Sequence, residues 1–132
     1  MARPYLHGTN GAVKTLAADT TLGPADTGKL FICSQAGAYN ITLPEVGDAK
    51  GWTGTFLLGT AGGNDFDIIG GTTDVMIGVE CADTNVVIDA ADKVTFVASN
   101  AVVGERVDIF CDGTNYYVTM FAVADNAASS AG

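Results

Sequence analysis

The chain has 132 residues, a formal net charge of −9 and only 16% charged residues, against about 25% in an average soluble domain. That length fits one domain, and a hydrophobic content of 48% is too high for a disordered chain. The acidity opposes phosphate backbones and anionic lipid, and no run of 18 apolar residues is present, so neither nucleic acid nor a membrane is an expected partner.

In chain order, Met1–Gly11 (MARPYLHGTNG) has no periodicity and carries Pro4, Gly8 and Gly11, which predicts an extended arm over 1–11. It is also short and polar, unlike a secretory leader. A first short strand is expected over Val13–Ala17. Lys29–Ser34 (KLFICS) and Tyr39–Leu43 (YNITL) read as strands on either side of a four-residue linker, Gln35–Ala38. Pro44 stops the second, because it has no N–H for a ladder. Thr53–Gly59, Phe66–Ile69, Asp74–Val79 and Asn85–Asp89 follow, separated by Gly, Asn and Asp clusters. Lys93–Ser99 (KVTFVAS) leads to Arg106–Cys111 (RVDIFC). There Val107, Ile109 and Cys111 alternate with Arg106, Asp108 and Phe110. Asp112-Gly113-Thr114-Asn115 then joins that run to Tyr116–Ala122 (YYVTMFA). Asp-Gly between strand-like runs signals a hairpin. Residues 93–122 are accordingly expected to form a three-stranded meander, and 124–132 (ADNAASSAG) a flexible tail.

These segments are mostly too short for helices. They predict an all-β domain over 12–123: an antiparallel sandwich or jelly-roll-like body of about nine or ten short strands. No repeat of fixed length is visible, so a solenoid is not expected.

Candidate chemistry is sparse. His7 is the only histidine and sits in the Gly-rich arm, a poor place to hold a general base. Cys33, Cys81 and Cys111 are odd in number and far apart. They suit neither a disulfide framework nor a CxxC metal site, and Cys33 and Cys111 read as small core hydrophobes. Asp65, Asp67 and Asp74 could offer oxygens to calcium but lack the EF-hand pattern, and read more simply as turn caps. Gly59–Gly63 lacks the GxxxxGK[ST] of a phosphate loop. No catalytic set, cofactor or metal is expected. Trp52 is either a core cap or an interface anchor. Of the adjacent Tyr116 and Tyr117 one ring must face outward, and Tyr117 is taken as that ring.

Two stretches carry a resemblance: Ala25–Phe31 (ADTGKLF) leading to Ala38–Pro44 (AYNITLP), and Val94–Ser99 (VTFVAS) leading to Asp112–Val118 (DGTNYYV). Together they resemble the β-rich head decoration, or cement, proteins of tailed phages and related virion modules. Cys111 stands where such chains carry a small polar residue, and Tyr116 where they carry Trp. The resemblance implies a non-enzymatic homotrimer on the outer capsid surface, made in the host cytoplasm and bridging major capsid proteins. Similar domains occur in tail fibres that contact host glycans, which is the alternative. Arg3, Pro4, Tyr5, Leu6 and His7 of the arm, with Trp52 and Tyr117, are the expected partner-contact residues.

Overall fold

The computed structural model describes residues 12–131. Twelve strands run along these residues. They are β1 (Val13–Leu16), β2 (Thr20–Thr21), β3 (Lys29–Ser34), β4 (Tyr39–Thr42), β5 (Thr53–Thr60) and β6 (Phe66–Ile69). The second half adds β7 (Met76–Cys81), β8 (Val86–Ala91), β9 (Lys93–Phe96), β10 (Arg106–Cys111), β11 (Tyr116–Phe121) and β12 (Ala128–Ala131). The helical content among these residues is two single 3₁₀ turns, Pro24–Asp26 and Val46–Asp48.

The strands form two mixed sheets. One has seven strands in the order β1-β3-β5-β10-β11-β7-β8, the other five in the order β12-β9-β6-β4-β2. Five of the ten strand pairings are parallel, which corrects the expectation of an antiparallel fold. The cause lies in the first half of the chain. Consecutive strands there alternate between the sheets, so each return lays a strand beside its predecessor in the same direction. The odd strands β1, β3 and β5 pair in parallel in one sheet, and β2, β4 and β6 do so in the other. This is a solenoid-like winding, contrary to the sequence expectation. Its coils are unequal: Val13 pairs with Leu30, Leu30 with Thr55 and Tyr39 with Phe66. Unequal coils leave no fixed period to detect.

The β10–β11 hairpin forms as expected. Gly113 adopts φ +94°, and the Asp112 carboxylate accepts the N–H groups of Thr114 and Asn115, both at 2.8 Å. The third strand of the expected meander does not join it. β9 lies in the other sheet, between β6 and β12. The C-terminal segment is likewise not a free tail through Ala131. Ala128–Ala131 pairs antiparallel with Lys93–Phe96 and closes that edge, with Ala127 and Ala128 buried.

The inward faces of both sheets share one core. Phe31, Phe56, Val107, Ile109, Val118 and Met120 come from the larger sheet, and Ile41, Phe66, Ile68, Val94 and Phe96 from the smaller. Stacked aromatic pairs line each side: Phe31 with Phe56 at 4.8 Å, and Tyr39–Phe66–Phe96 at 5.1 and 4.7 Å. Trp52 plugs one end of this core. Its ring lies 6.4 Å from Phe31 and edge-on to Tyr116 at 6.3 Å, and its Nε1–H donates to the Gly23 carbonyl at 3.2 Å. The Tyr116 hydroxyl beside it donates to the carbonyl of Pro44 at 2.5 Å. At another point the buried amide of Gln35 donates to the Phe96 and Val97 carbonyls and accepts from the Gly62 N–H, each at 3.2 Å. It ties the β3–β4 and β5–β6 connections to the end of β9.

Candidate assembly surface

Strand alternation gives each sheet one outer face, and the two faces differ in chemistry. On the five-stranded sheet Asn40, Asp67 and Thr95 lie side by side with Ser129, followed by Thr21, Thr42, Ile69 and Lys93. Asp67 accepts from Lys93 at 2.8 Å and from Thr95 at 2.6 Å. This face is mostly polar, with Asn40, Thr21 and Ser129 exposed, Thr95 buried and the others half-buried.

The seven-stranded sheet presents three rows across its outer face. Thr53, Phe110, Tyr117 and Ile77 form the first. Val13, Leu30, Thr55, Asp108, Thr119, Val79 and Val87 form the second, and Thr15, Ile32, Leu57, Arg106, Phe121 and Cys81 the third. Phe110, Tyr117, Phe121, Val13 and Val87 are exposed, and Leu30, Ile32, Leu57, Ile77 and Val79 are half-buried. The charges in these rows are Arg106 and Asp108, which bond to one another at 3.3 Å, while the Arg106 guanidinium also lies 4.4 Å from the Phe121 ring. In a chain of net charge −9 these rows are thus mostly apolar, and the two charges within them pair with one another.

The aromatic pair on this face is held in place. Phe110 and Tyr117 sit directly across the β10–β11 ladder with ring centroids 6.3 Å apart, and the Tyr117 hydroxyl donates to the Asp112 carboxylate at 3.0 Å. That bond and the charge of Asp112 raise the Tyr117 phenol above its ordinary value. The N–H groups of Asn115 and Thr114 hold the Asp112 carboxyl low. A shallow hollow of about 360 Å³ opens beside the rings, floored by Thr55, Asp108 and Thr119, with Thr55 donating to Asp108 at 3.0 Å.

Of the residues expected to meet a partner, Tyr117 is on this face. Trp52 is 2% exposed, so it serves the core and offers no contact surface, a correction to its reading as an interface anchor. Arg3, Pro4, Tyr5, Leu6 and His7 lie outside the described residues. Phe110 and Phe121 join Tyr117 on this face, and alternation with Val107 and Ile109, and with Val118 and Met120, places them outward. The acidic candidates do not converge. Asp65 accepts the Ala98 N–H at 2.5 Å, Asp67 is bound to Lys93 and Thr95, and Asp74 donates its own N–H to Asp92 at 2.6 Å. No three His, Cys, Asp or Glu side chains among the described residues are placed to hold a metal ion. Cys33 and Cys111 are buried, and burial pushes the Cys33 thiol up to about 12, far from a reactive thiolate.

Two buried carboxylates carry no signal in the sequence. Glu80 points into the core side of β7, where burial first and the charge of Asp125 second raise its carboxyl above the ordinary range. Glu105, just before β10, is 4% exposed. Its Oε2 accepts the Val123 N–H at 2.7 Å, and its Oε1 is buried without a hydrogen-bond partner. Comparison of the chain with family models, curated proteins and solved structures finds no match.

Proposed function

We propose that this chain is a virion assembly module: a tailed-phage head decoration protein that trimerises and bridges major capsid proteins on the outer capsid surface, without catalysis. The observation that supports this reading most is the contrast between the two outer faces of the β-sandwich. One is mostly polar, while the other joins Phe110, Tyr117, Phe121, Leu30, Ile32 and Leu57 into a largely apolar surface with a self-neutralised ion pair. Copies of a chain this acidic repel one another over most of their surface, so close approach is least costly where charge is cancelled. Symmetry then repeats every contact, and a trimer seated on several capsid subunits gains by avidity. Residues 1–11, which precede the edge strand β1, are the proposed foothold on the capsid.

The test is the solution mass by sedimentation, together with co-sedimentation on expanded capsids that lack this protein. A trimer that binds is the expected result, and removal of residues 1–11 should weaken docking without changing the mass. A stable monomer that ignores the capsid would sink the proposal.

A second reading draws on the hollow beside Phe110 and Tyr117. Two exposed rings next to the hydroxyls of Thr55 and Thr119 and the Asp108 carboxylate suit a neutral sugar, stacked on one ring and bonded through its hydroxyls. In that case the chain is a tail-fibre or receptor-binding module. Saturable binding to a glycan panel, lost in Tyr117→Ala and accompanied by tail location on purified virions, would favour it over the head.

A further inference from the structure

We infer that Glu105 is the floor of a socket for an arginine side chain of a protein partner. Four of the exposed large apolar side chains gather at one end of the seven-stranded sheet: Val102 and Val103 on the turn before β10, Phe121 at the end of β11, and Val123 just beyond it. Valine at 58% and 55% exposure, as at Val103 and Val123, gains nothing from water. Three of the four, Val103, Phe121 and Val123, border a hollow of about 310 Å³ lined also by Gly104, Glu105 and Ala122.

Glu105 is fixed from several sides. Its carbonyl accepts the Leu58 N–H at 2.8 Å, its N–H donates to Val102 at 3.1 Å, and its Oε2 takes the Val123 N–H. The remaining oxygen, Oε1, has no donor although the residue is almost wholly buried. A buried acceptor left in this state costs free energy until a donor arrives. Among the described residues no cation is paired to it: the ion pairs of Lys14 and Lys29 go to Asp26, that of Lys93 to Asp67 and that of Arg106 to Asp108.

The chemistry of the missing donor follows from the rim. A hollow whose lining carries one carboxylate among valines and a phenylalanine is too poor in oxygen for calcium or magnesium. Guanidinium is planar, more weakly hydrated than ammonium, and able to lie against an aromatic face while one edge bonds a carboxylate. The Phe121 ring already accepts the guanidinium of Arg106 on one side at 4.4 Å. An apolar ring that excludes water around a charged contact is the arrangement of an interface hot spot. Phe121 also belongs to the apolar outer face, so the socket continues the proposed assembly surface.

The inference rests on the reading of the chain as an assembly module, and its test separates the two. The ¹⁵N-labelled full chain is titrated with Nα-acetyl-arginine amide, and in parallel with the neutral isostere Nα-acetyl-citrulline amide. Saturable, millimolar shifts confined to the amides of Gly104, Glu105 and Val123 are expected with arginine alone. Glu105→Gln, which keeps an acceptor for the Val123 N–H, should bind about tenfold more weakly. Val103→Ser leaves the carboxylate untouched and should weaken binding severalfold; it decides the matter if Glu105→Gln does not fold. Shifts that are absent, scattered over the acidic surface, equal with citrulline, or unmoved by the rim variant overturn the socket. A chain that trimerises yet ignores arginine overturns the socket alone. One that binds arginine but stays monomeric and off the capsid overturns the virion reading alone.

Discussion

Replacing Phe110 by Thr tests the assembly surface at its most exposed aromatic. The ring is 48% exposed, so with roughly 200 Å² of side-chain surface it offers about 100 Å² to a partner. At about 25 cal/mol per Å², covering that area is worth ~2.5 kcal/mol for each interface that buries it, which is about 70-fold in the dissociation constant. The fold itself should lose a comparable amount: Thr suits a strand, but the covered half of the ring and its tilted contact with Tyr117 are lost, about 2–3 kcal/mol on the same coefficient. Sedimentation velocity across a concentration series reads the assembly, and thermal melting of the same samples reads the fold. The midpoint of assembly should move up about 70-fold in concentration while the melting temperature falls by about 10 °C with a cooperative transition retained. A folded Phe110→Thr chain whose assembly midpoint stays within about threefold of wild type would refute the argument that this face carries association.

The other predictions concern the body that positions this face. Tyr116→Phe leaves the Pro44 carbonyl buried without its donor and should cost about 1–3 kcal/mol, seen as a lower urea midpoint at unchanged slope. Gly78→Ala should be far worse, because a Cβ there overlaps the Val118 carbonyl across the parallel β7–β11 pair. Loss of a cooperative melting transition is expected, and a wild-type melt would contradict the register. Glu80 supplies a pH test. Its folded carboxyl titrates above the ordinary 4.5, so the stability it contributes is complete below that value and is lost as pH rises through the folded one. Glu80→Gln should therefore raise the melting temperature at pH 7, with the gain shrinking as pH falls through the raised folded value and gone below 4.5, and a gain independent of pH would contradict the assigned cause.

Local chemistry made much of this molecule legible. Alternation in Arg106–Cys111 and Tyr116–Phe121, with Asp112-Gly113 between them, fixed the hairpin, the burial of Tyr116 and the outward ring of Tyr117, because a strand's two faces repeat every second residue whatever it pairs with. The same rule applied to Phe110 and Phe121 would have drawn the rest of the apolar face. Pairing partners were another matter. KVTFVAS stands next to the hairpin in sequence but joins the opposite sheet, and ASSA, small and polar, forms its edge strand. Nothing local distinguishes a turn that folds back in one sheet from one that arches to the other.

The amino-acid order alone determined that this is a strand-built chain with few charges and no concentration of reactive groups. Only the tertiary structure decided which strands run parallel, that Trp52 closes the core, and that Glu105 is buried with one oxygen unanswered. Those outcomes depend on which distant segments meet, since burial is a property of the surroundings and a side chain cannot encode it by itself.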